Sequence, residues 1–145
     1  MSARYAEFAP PAELAPYVEC FWVFEGQDAA EDQRVAPDGR CELIVHHGSP
    51  YAERTADGRL APQPRAVFAG QVTRPLHLRA PAPAGVIAAR FTTAGAHAYA
   101  RAPMDSLTDR RAPLVELKGA AADRLVERVA AAAGEARYYV ASTPR

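Results

Sequence analysis

A few polar side chains of this sequence stand where a strand would ordinarily carry aliphatic ones. The stretch RVAPDGRCELIVHH (34–47) leads from a turn into an apolar run, yet it places Glu42 among Cys41, Leu43, Ile44 and Val45 and ends on His46 and His47. Side chains alternate along a strand, so Glu42, Ile44 and His46 share one face, and Cys41, Leu43, Val45 and His47 the other. By the same alternation Gln71 falls with Val67 and Ala69, and Arg90 with Val86 and Ala88. An unpartnered buried polar group costs roughly 2–7 kcal/mol, so each must find a partner or water. Two chemistries satisfy that demand. In the structural one, Glu42 meets Arg90 or anchors the turn at Asp38-Gly39. In the other, Glu42, His46, Gln71 and Arg90 converge with Trp22, and with Phe24 or Phe21, on a mostly apolar cavity with a few aimed polar groups, which is how small-molecule sites are built. Trp22 would then be a stacking wall. The two histidines are expected where the strand runs out toward solvent, one imidazole rimming the cavity.

Reactive constellations are not visible. There is no Gly-Xaa-Ser-Xaa-Gly elbow, no glycine loop that would cradle phosphate and no His-Glu-Xaa-Xaa-His helix. Adjacent strand residues point to opposite faces, so His46 and His47 do not readily ligate one metal. The histidine and carboxylate spacing of a metal-binding cupin is missing too. The expectation is a protein without enzymatic activity, metal or cofactor.

The elements that must position these residues follow from periodicity. Residues 5–16 contain Pro10, Pro11 and Pro16 and read as an extended lead-in. VECFWVFEG (18–26) alternates with period two and predicts a strand, and the charged run QDAAEDQR (27–34) an exposed connection. Pro37-Asp38-Gly39 has turn chemistry ahead of the strand 41–47. YAERTADGRLA (51–61), with Asp57-Gly58 at its centre, predicts a short ribbon. Strands are expected at 65–73, 75–80 and 85–93, and Gly70 within the first suggests a bulge or a close backbone approach. Beyond Thr93, itself a plausible cap, helical character takes over: one or two short helices over 104–117 broken at Pro113, and a clear amphipathic helix at 120–133 closed by Gly134. In that last helix Ala122, Leu125, Val126, Val129, Ala130 and Ala133 share a face. Strands at about 5–93 followed by helices at about 94–134 predict an α+β fold, a small antiparallel β-barrel or sandwich of cupin-like type with C-terminal helices in a single domain.

The totals set bounds. At 145 residues the chain holds one core. Seventeen Lys plus Arg balance seventeen Asp plus Glu, which argues against an extended nucleic-acid surface. Cys20 and Cys41 sit in apolar settings and read as reduced core thiols. No apolar run approaches the roughly 20 residues of a membrane span, and the N-terminus lacks a signal peptide's apolar centre, so a cytoplasmic protein is expected.

The stretches LAPYVECFWVFEG, RVAPDGRCELIVHHG, AGQVTRPLHLR and GVIAARFTTAGAHAYARAPMDSLTDR together resemble the N-terminal domain that precedes the helix-turn-helix pair in a group of AraC-type transcription regulators. The resemblance runs from about Tyr5 to about Leu125. Its most specific marks are Pro37-Asp38-Gly39 with Glu42-Leu43, and Gly70-Gln71-Xaa-Thr73-Arg74-Pro75. Gly85-Val86 with Arg90-Phe91, and Leu107-Thr108-Asp109, support them. It implies a cytoplasmic, cupin-like effector-sensing domain, touching DNA only through a C-terminal domain. Nothing in this chain reads as that DNA-binding pair, so a sensor domain of a longer regulator is expected. The partner so implied is an unidentified small-molecule effector; the amphipathic helix 120–133 separately offers a face for a homodimer. The rival expectations are a ligand-free dimerisation module, with the ARYYV tail in the contact, and a cupin-like enzyme.

Overall fold

A computed structural model of the chain describes residues 3–26 and 31–132. Its strands are β1 (Ala3–Phe8), β2 (Val18–Gly26), β3 (Glu31–Val35), β4 (Glu42–His46), β5 (Ala52–Arg54), β6 (Leu60–Pro62), β7 (Ala66–Ala69), β8 (Leu76–Ala80), β9 (Ala84–Phe91) and β10 (Arg111–Pro113). Helices α1 (Thr93–Ala100), α2 (Leu114–Lys118) and α3 (Ala120–Ala131) follow the main run of strands. The strands form a six-stranded sheet, β1-β2-β9-β4-β7-β10, and a four-stranded one, β3-β8-β5-β6. Every pairing is antiparallel. The architecture is α+β as expected; of the expected barrel or sandwich, the barrel is corrected, because the described strands make two separate sheets and close no ring.

Several elements differ from the sequence pattern for identifiable reasons. The lead-in begins as a strand, because Pro10, Pro11 and Pro16 all lie after Phe8 and leave β1 free to pair with β2 from Ala3↔Gly26 to Phe8↔Phe21. Part of the charged connection 27–34 is β3, whose polarity suits a sheet with one wet face. Asp32 stands opposite Arg79 and accepts its Nε–H at 2.8 Å. The ribbon at 51–61 forms as expected, with Ala52↔Pro62 and Arg54↔Leu60 in register.

The strand expected over 65–73 stops at Ala69. Gly70 turns out of it and donates its N–H to Arg110 O at 2.9 Å, and a Cβ on Gly70 would stand only 1.9 Å from Leu107 O. The glycine thus marks a close backbone approach, and Gln71 leaves the sheet. The region 104–117 is one 3-10 turn at Met104–Leu107, then β10 against β7, then α2 with Pro113 at its N-cap. α1 is capped by Thr92, one residue before the threonine expected, whose Oγ1 accepts from Gly95 N–H at 3.0 Å. In α3, Ala122, Leu125 and Val129 are buried while Ala130 is exposed. Ala133, Gly134 and the tail fall outside the described residues.

The larger sheet has two differently furnished faces. Toward the helices lies a dense core that includes Phe21, Leu43, Phe68, Ile87, Leu114 and Val129. A register shift between Val18 and Cys20 brings Val18 onto that side. Phe68, Phe91 and Tyr99 stack within it, with centroids 5.3–6.4 Å apart. Toward the smaller sheet lies a second cluster of Tyr51, Ala80, Ala84 and Val86, with Trp22, Phe24, Ile44 and Leu78 partly buried against it. Cys20 and Cys41 are free thiols. No helix among the described residues is long and apolar enough to cross a membrane.

Candidate functional site

A cavity of about 340 Å³ lies between the two sheets. That is at the small end of the roughly 300–1,000 Å³ of typical small-molecule sites. Its apolar walls come from both sides: Trp22, Phe24, Ile44 and Val86 from the larger sheet, Val35, Leu76 and Leu78 from the smaller. The register of the larger sheet sets a polar row across its floor. Cys20, Arg90, Glu42, Ala69 and Arg111 are direct cross-strand neighbours on five consecutive strands. Ala69, the small member, separates the Glu42–Arg90 pair from Arg111.

At one end of the row Glu42 is gripped twice. Its Oε2 accepts Trp22 Nε1–H at 2.9 Å and Arg90 Nε–H at 3.1 Å. Arg90 also reaches Cys20 Sγ at 3.7 Å. Burial raises the Glu42 carboxyl pKa and outweighs the opposing pull of Trp22 and Arg90. Burial works against the Arg90 guanidinium, but the neighbouring Glu42 charge holds it firmly protonated.

At the other end a chain of hydrogen bonds joins the two sheets. Arg111 on β10 donates Nε–H and Nη2–H to the two oxygens of Glu53 on β5, at 3.0 and 2.8 Å. Gln63 Nε2–H donates to the same carboxylate at 3.2 Å, and Gln63 Oε1 lies 3.0 Å from His46 Nε2. This sequence of contacts fixes a tautomer. Glu53, its pKa lowered by Arg111 and Gln63 against the pull of burial, only accepts, so Gln63 presents its NH2 there and its carbonyl oxygen to His46. His46 must therefore donate from Nε2, leaving Nδ1 as a bare acceptor. Burial lowers the imidazole pKa below its ordinary 6.5, which keeps the ring neutral. The ring stacks on Tyr51 at 5.4 Å between centroids and is 2% exposed. His46 is thus not at a solvent exit as expected; it is among the most buried side chains. Two buried nitrogens, His46 Nδ1 and Arg111 Nη1, have no hydrogen-bond partner among the described residues.

Of the five residues singled out by sequence, Trp22, Glu42, His46 and Arg90 line the cavity. Gln71 does not. It is exposed, and its Nε2–H donates to Gly39 O at 3.0 Å, so it holds the Pro37-Asp38-Gly39 turn, while of the two partners expected for Glu42, that turn or Arg90, Glu42 takes Arg90. Two residues further on, Thr73 donates its N–H and Oγ1–H to the Asp109 carboxylate at 2.8 and 2.6 Å, which lowers the Asp109 pKa. The Gly70–Pro75 and Leu107–Asp109 stretches, with the Asp38 turn, form one interlocked rim. Its members Asp38, Gly70 and Val72 border the cavity.

Sequence reasoning missed Tyr51, Gln63 and Arg111 at the site and Glu53 behind it. Tyr51 and Glu53 sit two apart before a hairpin, a period-two signal that could have found them. Gln63 lies between Pro62 and Pro64, and Arg111 opens a three-residue strand too short to carry a pattern. Among the described residues no group of three or more His, Cys, Asp or Glu is placed to hold a metal ion.

A family model described as a domain of unknown function (DUF6597) matches residues 6–113, and the chain belongs to that family. No curated protein and no solved structure matches it. The matched span ends on the last residue of β10, and every cavity residue named above falls inside it.

Proposed function

Starting from that membership, we propose that the chain is a cytoplasmic effector-sensing domain that binds a small molecule between its sheets and passes its occupancy to a DNA-binding domain outside this chain, as the AraC-type resemblance implies. On this reading the two sheets form a cupin-like sandwich used for recognition, without catalysis, metal or cofactor. The carrying observation is the 340 Å³ cavity with apolar walls and a short set of oriented polar groups. A ligand acts by binding one arrangement of the domain better than another, and can shift the balance by no more than that difference. The route suggested by the fold runs from Arg111 and the rim at Gly70–Val72 through β10 into α2, which follows Pro113 directly.

Trp22 is the chain's one tryptophan and forms part of the cavity wall, so it reports occupancy from within. Titrating small-molecule libraries against its fluorescence, with melting temperature as the second readout, is expected to give saturable shifts that Arg90→Ala weakens and Gln71→Ala leaves intact. Hits indifferent to Arg90→Ala would remove the pocket from the proposal. The rival reading of a ligand-free dimerisation module through helix 120–133 has less to draw on, since Ala122, Leu125 and Val129 of α3 are already spent in the chain's own core.

A further inference from the structure

Resting on the binding role just proposed, we infer that the ligand is an uncharged, largely apolar molecule carrying a hydrogen-bond acceptor, such as a carbonyl, for Arg111 and a donor, such as a hydroxyl or amide N–H, for His46. The charges at the cavity are already spoken for. Arg90 pairs with Glu42 at 3.1 Å, Arg111 with Glu53 at 2.8 Å and Arg40 with Glu19 at 2.9 Å. Asp38 lies at the exposed rim in contact with water, where its carboxylate accepts the neutral Arg40 backbone N–H at 2.9 Å, so the ion pairs are those of the three arginines. A carboxylate or ammonium entering this space would have to break one of these pairs or remain uncompensated among apolar walls, and both are costly.

What is left unsatisfied has a different character. His46 Nδ1 offers a lone pair because the Gln63–Glu53 chain fixes the proton on Nε2, and Arg111 Nη1 offers N–H because Nε and Nη2 are both taken by Glu53. A buried donor or acceptor left open is a standing cost that a matching ligand group removes. One acceptor and one donor, carried by two residues that line the cavity and joined by a single hydrogen-bonded chain, ask for a ligand with the complementary pair. The remaining surface, from Trp22, Phe24, Ile44, Leu76, Leu78 and Val86, asks for an apolar body.

Three probes of similar ring size separate the possibilities: 4-hydroxyphenylacetamide, 4-hydroxyphenylacetate and toluene, each titrated into the full chain with Trp22 fluorescence and melting temperature as readouts. The amide is expected to bind at least about tenfold more tightly than the carboxylate. His46→Leu and Arg111→Lys should each weaken the amide about tenfold, the scale of one buried hydrogen bond, while leaving toluene within about twofold. A carboxylate that binds as well as the amide or better overturns the inference and leaves the binding role standing. Equal losses of amide and toluene in the variants also overturn it, because they report a disturbed cavity and no specific hydrogen bonds. If none of the three probes moves either readout, the binding role fails and the inference with it.

Discussion

The two faces of the six-stranded sheet are built from alternate residues of the same strands, yet they end as different materials. On β4 and just before it, Cys41, Leu43 and Val45 are 4%, 3% and 1% exposed and pack under the helices. Their neighbours Glu42, Ile44 and His46 line a void. Three helices deliver enough aliphatic and aromatic volume to fill the first face to the density of a protein interior. The second face meets a short four-stranded sheet, and the polar groups between them are held by one another, so the gap stays open. A single strand can thus serve a rigid core and a cavity wall together, the core side fixing the positions of the residues on the other.

That contrast can be broken by experiment. Phe68→Ala, which empties a fully buried site on the helix side, is expected to cost about 3–5 kcal/mol in chemical denaturation. Gly70→Ala should come next, at about 1–3 kcal/mol, because the added methyl meets the Leu107 carbonyl oxygen and the rim must move. Trp22→Phe keeps an aromatic wall but gives up the bond to Glu42, with an expected loss of about 1 kcal/mol. Should Trp22→Phe prove as damaging as Phe68→Ala, the cavity side is a packed core after all.

The smallest effect is a tilt with pH. Because burial lowers the His46 pKa, the folded state holds its proton less tightly than the unfolded chain. The stability contributed by the neutral ring is complete above 6.5 and declines as pH falls through the window beneath it. Glu42, raised by burial, tilts the other way, losing stability as pH rises from its ordinary 4.5 through its elevated value. Denaturation curves between pH 5 and 7.5 should therefore flatten in His46→Gln and steepen in Glu42→Gln. Unchanged slopes would mean that neither ring nor carboxyl is buried as described.

Much of this was legible in the sequence wherever period-two alternation was long enough to read. The strand at 41–47 put Glu42, Ile44 and His46 on one side, and the structure lines the cavity with all of them. Trp22 and Arg90 were found by the same means. Gln71 was misplaced because Gly70 turns the chain out of the sheet against the Leu107 backbone; the glycine signalled a bulge or close approach, but the local pattern did not say that the strand ends there. Arg111 was missed because three residues carry no period, and β10 exists only through its pairing with β7. The marks that carried the AraC-type resemblance largely bond to one another: Gln71 to Gly39, and Thr73 to Asp109. Those marks hold the rim together, while the unsatisfied nitrogens lie on His46 and Arg111.

Strand β10 is paired along only Arg111–Pro113, and its proline contributes no backbone donor. So short a seam can unzip on its own while the rest of the sheet keeps its protection, which makes the amides around Ala112 the place where slow hydrogen–deuterium exchange should first give way. A guest that engages Arg111 would stitch that seam shut and slow the exchange, turning occupancy of the interior into a change in the local lifetime of the backbone that leads into the helices.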